Sequence, residues 1–276
     1  MEFVSEVLTL KVDGPVATLW LDRVAARNAM GAAFWLDLPS AAAHVAQLSE
    51  VRVLVIAARG PHFTVGLDLK ELGGSLFHDG AATTSRASSN ARNFAEVRRM
   101  QDAVSSIARL AIPVVVAVHG YCIGGGVDLI CAADIRLCSS DAVFSVRETK
   151  VAIVADIGTL QRLPRIVNAG HVSELALTGK DIDAAHAARI GLVNSVHEGG
   201  ADAVYQAALE VAREIAANSP LAVQGTKAVL GANDGRTIDE GLDFVARWNT
   251  LYLDSNDLRE AMAAFVEKRA PEFRGD

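Results

Sequence analysis

The stretch PVVVAVHGYCIGGGVDLICAADI, residues 113–135, joins an apolar strand to an apolar helix through a run of glycines. The β-branched residues of 113–120 predict a buried strand. Gly124, Gly125 and Gly126 then lead into an apolar helical segment. Glycines at such a junction let a ligand approach the backbone, and the N-terminus of the helix offers free N–H groups and a positive dipole end. The stretch therefore predicts a strand-to-helix turn that stabilises negative charge.

Strands and helices alternate on the N-terminal side of this stretch. The apolar run 51–58 is typical of a buried strand, and helical patterns precede the two strands at 32–48 and 94–110. Residues 6–23 alternate apolar and polar side chains on both sides of Asp13-Gly14-Pro15, which predicts a β-hairpin. The alternation of strands with helices predicts an α/β core.

The pattern becomes helical from about Gly170, with one short strand predicted at 191–196. The predicted helices are 170–178, 183–190, 203–218, 221–231, 238–253 and 256–268. We therefore divide the chain into a core at 1–196 that carries the site and a helical region at 197–276. The apolar faces of these helices predict that copies of the chain associate.

Composition excludes several classes of protein. The formal net charge of −7 argues against nucleic acid as a partner, because binding to the phosphate backbone needs clustered Lys and Arg. Every apolar stretch falls short of the ~20 residues of a membrane span. The first residues, MEFVSEVLTLKVDG, lack the basic start and apolar block of a signal peptide. The expectation is a cytoplasmic protein with no membrane span.

The three cysteines, Cys122, Cys131 and Cys138, are odd in number and lack the spacing of a metal site. They are interpreted as reduced structural thiols. His62 and His119 lie beside the glycine turns, but neither has a histidine or acid partner at metal-ligand spacing, so no metal is expected.

The segment 73–93 is rich in Gly, Ser and Ala and has no clear periodicity. Two interpretations remain open from the sequence. The segment is either a surface loop or a lid over the site.

A second glycine turn follows the strand 51–58, in RGPHFTVGLDLKEL, residues 59–72. If the chain turns at Gly66, the backbone N–H of Leu67 points into the same space as that of Gly125. Two such donors on one oxygen form an oxyanion hole. By pattern alone, an ordinary turn explains the glycine equally well.

FTVGLDLKEL, VHGYCIGGGVDL and ETKVAIVADIGTLQRLPRIV together resemble the crotonase superfamily, also called the enoyl-CoA hydratase/isomerase family. The resemblance runs from LDRVAARNAM (21–30) through LTGKDIDAAHAARIGLVNSV (177–196) to FVEKRAPEF (265–273). It implies an α/β spiral core of strand-strand-helix units and a C-terminal helical trimerisation part. It also implies an acyl-CoA thioester substrate, a homotrimer or homohexamer, and no cofactor, since coenzyme A is part of the substrate.

The resemblance assigns substrate-binding positions. Leu67 and Gly125 match the residues whose N–H groups hold the thioester oxygen. The strip that lines this pocket comprises Val65, Gly66, Leu67, Asp68 and Leu69. Arg27 lies where family members hold the CoA nucleotide, and Lys268 matches a basic residue that often contributes there, in some members from a neighbouring subunit. As residues, Arg27 and Lys268 are equally well explained as solvated charges.

Three acidic residues indicate the reaction. Asp128 and Glu148 fall where hydratases of the family carry two glutamates, and Asp156 stands where a hydratase has glycine. Asp, Glu and Asp resemble the Δ3,5-Δ2,4-dienoyl-CoA isomerases of the family. This resemblance implies that Glu148 is the base at C2, that Asp156 is the acid at C6, and that Asp128 tunes Glu148.

Each acid also has a purely structural interpretation. Asp128 can favour a helix N-terminus, Glu148 can pair with Arg147 or Lys150, and Asp156 can cap the following helix. Two other functions stay open. One is a 2-enoyl-CoA hydratase that uses Asp128 and Glu148 around a water molecule, and the other is a non-catalytic protein that binds acyl-CoA.

Overall fold

A computed structural model describes residues 3–71 and 85–276 of the chain. Its larger sheet has six strands in the order β1-β2-β3-β4-β6-β9. They are β1 Leu8–Asp13, β2 Val16–Leu21, β3 Val53–Ala58, β4 Val114–Val118, β6 Ile135–Ser139 and β9 Ser195–His197. The smaller sheet has the order β5-β7-β8, with β5 Tyr121–Ile123, β7 Val143–Ser145 and β8 Ile182–Asp183.

The first two strands form the predicted hairpin. β1 and β2 pair antiparallel, with Leu8 opposite Leu21 and Asp13 opposite Val16. Gly14 takes a φ of 56° in the turn between them. The other neighbours in the larger sheet are parallel, so each step from β2 to β3 to β4 to β6 requires a crossover.

Ten helices are described along the chain, and Gly200–Ala216 has the most contacts with the larger sheet. They are α1 Ala32–Val45, α2 Arg86–Ala108, α3 Gly125–Cys131, α4 Thr159–Arg162, α5 Ala169–Thr178, α6 Ala184–Arg189, α7 Gly200–Ala216, α8 Pro220–Ala232, α9 Ile238–Tyr252 and α10 Asn256–Glu267. The predicted helices agree with these bounds to within a few residues, except for α2. The six residues of β3 and the five of β4 are all buried, as expected for parallel strands covered on both faces.

The helix predicted at 94–110 begins earlier, at Arg86. Ser85 caps it by accepting a hydrogen bond from the N–H of Ser88. Most of residues 86–96 are exposed, so this part of the helix has no apolar stripe for sequence periodicity to detect. Residues 86–93 of the segment 73–93 are therefore helical. Residues 73–84 of this possible lid lie outside the described residues.

Two short connections join the larger sheet to the smaller one, at 119–120 between β4 and β5 and at 140–142 between β6 and β7. Gly120, with a φ of 53°, turns the chain from β4 into β5, and α3 follows directly. This gives the expected spiral of strand, strand and helix. The sequence analysis did not predict β5, β6, β7 or β8, because strands of two to five residues are too short to have a clear period. The strand predicted at 191–196 is shifted and contains only Ser195–His197.

Helix α7 lies on one face of the larger sheet. Val204, Ala208 and Ala212 are fully buried there against β3 and β4, and their burial supplies part of the core. The division of the chain at 196/197 stays a prediction. No helix in residues 3–71 and 85–276 is both long enough and apolar enough to cross a membrane.

Candidate active site

The predicted glycine junction opens helix α3. Gly124 precedes the helix with a φ of 53°, and its N–H donates to the carbonyl of Ser145 at 2.9 Å. Gly125 is the first helical residue, where an N–H has no partner inside the helix. Within the described part of the chain, the N–H groups of Gly125 and Leu67 both lack a hydrogen-bond acceptor. Both are therefore available to an oxygen of a ligand.

The turn at Gly66 lies beside this helix start. Thr64 ties the turn to β5, donating its N–H to the carbonyl of Tyr121 at 2.9 Å and accepting from the N–H of Ile123 at 3.1 Å. Gly66 has a φ of 85°, and a Cβ at this position would lie 3.6 Å from the nitrogen of Gly125. The two turns that sequence reasoning paired are thus adjacent.

Gly66→Ala is expected to lower turnover by about 10- to 100-fold, because it would move the N–H of Leu67 away from that of Gly125. The added Cβ would lie 2.7 Å from the backbone carbonyl oxygen of Ile123, at a φ that L-residues rarely adopt. Steady-state kinetics measure the loss. Gly14→Ala is the matched control, since its φ is also positive but its Cβ meets no atom within 4 Å. Equal activity of the two variants would contradict the placement of the hole.

Other residues of the strip 65–69 hold the turn itself. The Asp68 carboxylate accepts from Arg23 Nη1 at 2.7 Å and from the N–H groups of Lys70 and Glu71. Burial opposes ionisation of Asp68, yet these hydrogen bonds hold its pKa below the ordinary value. The Asp68 carboxylate is thus committed to neighbouring groups, whereas Leu69 is exposed.

Arg27 and Lys268, the two basic residues expected at CoA, lie on separate elements. Both are exposed, and both have left-handed backbone angles, with φ 53° and 56°. Neither side chain pairs with an acid among residues 3–71 and 85–276. The structure does not bring the two side chains into contact within one chain.

Asn28 is a structural residue that sequence reasoning missed. It is buried, and its amide donates to the carbonyls of Arg59 and His62, both at 2.9 Å. Its side-chain oxygen accepts from the N–H of Arg23 at 2.9 Å. Asn28 has a left-handed φ of 57°, a conformation that Asn tolerates better than most residues. The sequence RNAM could have indicated this turn, because Asn is common in such positions.

Asp128 is buried in the first turn of α3, with 1% of its surface exposed. Its Oδ1 accepts a hydrogen bond from the N–H of Thr159 at the start of α4, and its Oδ2 has no partner among the described residues. Burial raises its pKa to about 7, and the charge of Glu148 adds to the rise. Asp128 thus lies in the first turn of α3, where the helix dipole favours an acid, but it is buried there and not solvated.

Glu148 begins a 3₁₀ helix at Glu148–Val151. It forms no ion pair with Arg147 or Lys150, because Arg147 pairs with Asp181 and the Glu148 Oε2 has no partner in the described residues. A Cβ on Gly124 would lie 3.2 Å from Glu148 Oε1, so the carboxylate lies against the glycine junction. Burial raises its pKa, and the charge of Asp156 raises it further.

Asp156 lies in an irregular segment between the buried residues Ala155 and Ile157. Its side chain does not cap α4, since the first N–H of that helix bonds to Asp128 instead. Partial burial raises the pKa of Asp156. The structural interpretation of this residue as a helix cap is therefore wrong.

The three carboxyl groups influence one another electrostatically. The charge of Asp156 acts on Glu148, and the charge of Glu148 acts on Asp128. Because burial raises all three pKa values, one group can hold a proton while another is ionised. Such a site can remove a proton from one carbon of a bound molecule and return a proton to another.

The burial of Asp128 predicts a pH dependence of stability. Its pKa is 3.8 in the unfolded chain and about 7 in the folded protein. Between these values the folded protein binds a proton that the unfolded chain has lost, so the free energy of unfolding falls as pH rises through this window. Asp128→Asn is expected to reduce this fall by up to about 4 kcal/mol between about pH 4 and pH 8. Urea unfolding at fixed protein concentration measures it, and an unchanged pH slope would contradict the burial of this acid.

The remaining candidate groups are structural. His119 Nε2 bonds to the carbonyl of Gly60 at 2.8 Å. The three cysteines are free and buried, as the sequence predicts. Across the described ranges, no group of three or more His, Cys, Asp or Glu side chains has metal-site geometry.

Comparison with known proteins identifies the family. Residues 11–276 match the sequence profile of the enoyl-CoA hydratase/isomerase family. The fold also matches solved structures. A Bacillus anthracis enoyl-CoA hydratase superposes with a TM-score of 0.88 at 27% identity, covering 98% of this chain and 100% of that one. An enoyl-CoA hydratase from Mycobacterium smegmatis gives 0.83 at 29% identity, over 98% and 99% of the two chains.

Curated relatives are more similar in sequence. A protein of Arabidopsis thaliana named peroxisomal Δ(3,5)-Δ(2,4)-dienoyl-CoA isomerase is 40% identical, over 97% of this chain and 96% of its own. A protein of Dictyostelium discoideum with the same enzyme name, mitochondrial, is 44% identical over 94% and 87%. The human protein of that name, also mitochondrial, is 38% identical over 90% and 75%.

These names overturn the expected location. The relatives are named peroxisomal or mitochondrial, so the expectation of a cytoplasmic protein is wrong. It rested on reduced cysteines and on the lack of a secretory signal, which describe a reducing aqueous compartment. Organelle interiors offer that environment too, so these features did not distinguish them from the cytoplasm.

The spiral of strand-strand-helix units, the paired glycine turns and the match over residues 11–276 agree with one another. The chain belongs to the enoyl-CoA hydratase/isomerase family.

Proposed function

We propose that this protein isomerises 3,5-dienoyl-CoA to 2,4-dienoyl-CoA. The observation that carries this proposal is the position of Asp156, a half-buried carboxyl group between Ala155 and Ile157 that caps no helix and whose charge raises the pKa of Glu148. A hydratase needs acid-base groups at C2 and C3 only. A shift of two double bonds needs a proton removed at C2 and one added at C6, which a second carboxylate serves.

The reaction begins with the thioester oxygen at the N–H groups of Leu67 and Gly125. These donors stabilise the negative charge that develops on the oxygen. Glu148, ionised, takes a proton from C2, and the resulting electron pair is delocalised along the chain to C6. Asp156, protonated, then gives its proton to C6, and the double bonds move from C3 and C5 to C2 and C4.

One turnover leaves Glu148 protonated and Asp156 ionised, so exchange with solvent must restore the starting state. Burial raises the pKa of both groups, which brings these proton exchanges closer to neutral pH. Asp128 lies deeper and acts through its charge. The charge of Glu148 raises the pKa of Asp128, so the two carboxyl groups are coupled and Asp128 tunes Glu148 through this coupling.

The names of relatives that are 38% to 44% identical support the isomerase. One observation favours a hydratase as the second candidate. Asp128 Oδ2 and Glu148 Oε2 are both buried without a partner in the described residues, an arrangement that suits a bound water molecule. The assay below separates these two activities.

For substrate binding, the strip 65–69 lines the thioester pocket and exposed Arg27 contacts the CoA nucleotide. Lys268 contributes to the same nucleotide, from its own chain or from a neighbouring copy. The reaction needs no metal and no cofactor, since coenzyme A is part of the substrate.

The protein assembles as a homotrimer or homohexamer. Large apolar side chains on the C-terminal helices are exposed, including Ile238 at 82% and Phe265 at 83%, and association would remove them from water. Sedimentation at micromolar concentration measures the assembly. A monomer under these conditions would contradict the proposal.

The function is tested with purified protein and two substrates. With 3,5-dienoyl-CoA we expect the absorbance of a conjugated 2,4-diene to appear, and with 2-enoyl-CoA little hydration. Hydration that is faster than diene formation would make the hydratase the main activity. Activity that survives dialysis against a chelator supports a metal-free reaction.

A further inference from the structure

The carboxylate of Asp156 is positioned by its backbone. Among residues 3–71 and 85–276 it accepts no hydrogen bond from another residue, and its own N–H only moderates the rise of its pKa. An aspartate side chain has two rotatable bonds, so its reach is set mainly by the position of its Cα. Whatever fixes the backbone at Asp156 therefore fixes the acid.

The segment from Ile153 to Gly158 has no helix or strand to hold it. Burial of Ala155 and Ile157 anchors two side chains. The backbone itself is held from outside the segment, because the Nε2 of Gln101 donates to the carbonyl of Asp156 at 2.6 Å. Gln101 belongs to α2, which is distant in sequence from this segment.

The side chain of Gln101 is itself oriented. Arg98, one turn earlier in α2, donates from Nη1 to the Gln101 Oε1 at 2.8 Å. This contact requires the amide to face Asp156 with its NH₂ group, which is the donor that the carbonyl needs. The two hydrogen bonds thus form a series from Arg98 through Gln101 to the backbone of Asp156.

A second hydrogen bond joins the same face of α2 to the end of α4, which follows the segment. Ser105, four residues after Gln101, accepts from Nη2 of Arg162 at 2.8 Å. Residues four apart lie on one face of a helix. Helix α2 therefore holds the chain at two points, the carbonyl of Asp156 itself and the end of α4.

We propose that Gln101 is a positioning residue, which holds the backbone of Asp156 so that its carboxyl group reaches C6 of the substrate. Gln101 does not touch the reacting atoms. The inference rests on the proposed function, because it concerns the proton delivered at the far end of the diene.

The test uses two variants of similar size. Gln101→Met removes both polar groups, and Gln101→Glu keeps the acceptor for Arg98 but sets an oxygen against the carbonyl of Asp156. We expect both to lower kcat for diene formation by about 10- to 100-fold, because small displacements of an acid are costly. Exchange of the C2 proton in deuterated water should stay near the native rate, and KM should change little.

Ser106→Ala is the matched control. Ser106 lies on the same helix, and among the described residues its hydroxyl donates only to the carbonyl of Ala103 within that helix. It should keep native rates for both reactions. Native turnover of Gln101→Met, or an equal loss of diene formation and C2 exchange, would overturn the positioning role. Failure of the native protein to isomerise dienoyl-CoA would instead overturn the proposed function.

Discussion

Asp156→Asn is expected to lower the isomerisation of 3,5-dienoyl-CoA by about 10²–10⁴-fold, the usual loss when an acid-base partner is removed. The amide has nearly the size of the carboxyl group but cannot exchange a proton. The side chain is half-buried and accepts no hydrogen bond from another of the described residues, so its replacement leaves the neighbouring contacts intact. Stopped-flow absorbance of the conjugated diene measures the rate.

The same variant keeps the first half of the reaction. Because Glu148 is unchanged, the C2 proton of the substrate should still exchange with deuterated water, as mass spectrometry of recovered substrate will record. Binding of the thioester should also be native. Isomerisation at the native rate would mean that Asp156 serves no proton transfer, and the hydratase would then become the leading function.

Glu148→Gln is expected to abolish both diene formation and C2 exchange, with a loss of at least about 10²–10⁴-fold in each. The amide cannot take the C2 proton, so the electron pair that must travel to C6 is never released. The variant also removes the charge that contributes to the raised pKa of Asp128. Paired measurements of exchange and turnover distinguish it from Asp156→Asn.

Glu174→Gln is the control for this substitution. Glu174 is exposed, pairs with Lys180 at 2.5 Å and lies outside the acid group, so the change should leave both rates native. If Glu148→Gln still exchanged the C2 proton at the native rate, the base would have to be another group, with Asp128 the nearest candidate.

Much of the fold was predictable because its main elements have a clear hydrophobic pattern. The hairpin at 6–23 alternates apolar and polar residues, the strand runs 51–58 and 113–120 are continuously apolar, and each was found close to its predicted position. Strands β5 and β7 have three residues each and no period to read. The first half of α2 is exposed nearly all round, so it carries no apolar stripe.

The candidate site was predictable in its membership and less so in its contacts. Spacing placed the three acids and both glycine turns in the family pattern, and the structure brings these elements together. The hydrogen bond from Thr159 to Asp128 joins residues 31 apart, and that from Gln101 to Asp156 joins residues 55 apart. Such pairs depend on how α2, α3 and α4 meet, which no local pattern encodes.

The burial of Asp128 also bears on how this chain can evolve. Asp128 is buried, and its Oδ2 has no partner among the described residues, so this carboxyl group lowers the stability of the fold near neutral pH. An apolar residue of similar volume at this position would make the protein more heat-resistant. Selection for thermal stability alone would favour that replacement. An acid kept at this position in related chains would therefore indicate selection for turnover at the expense of stability.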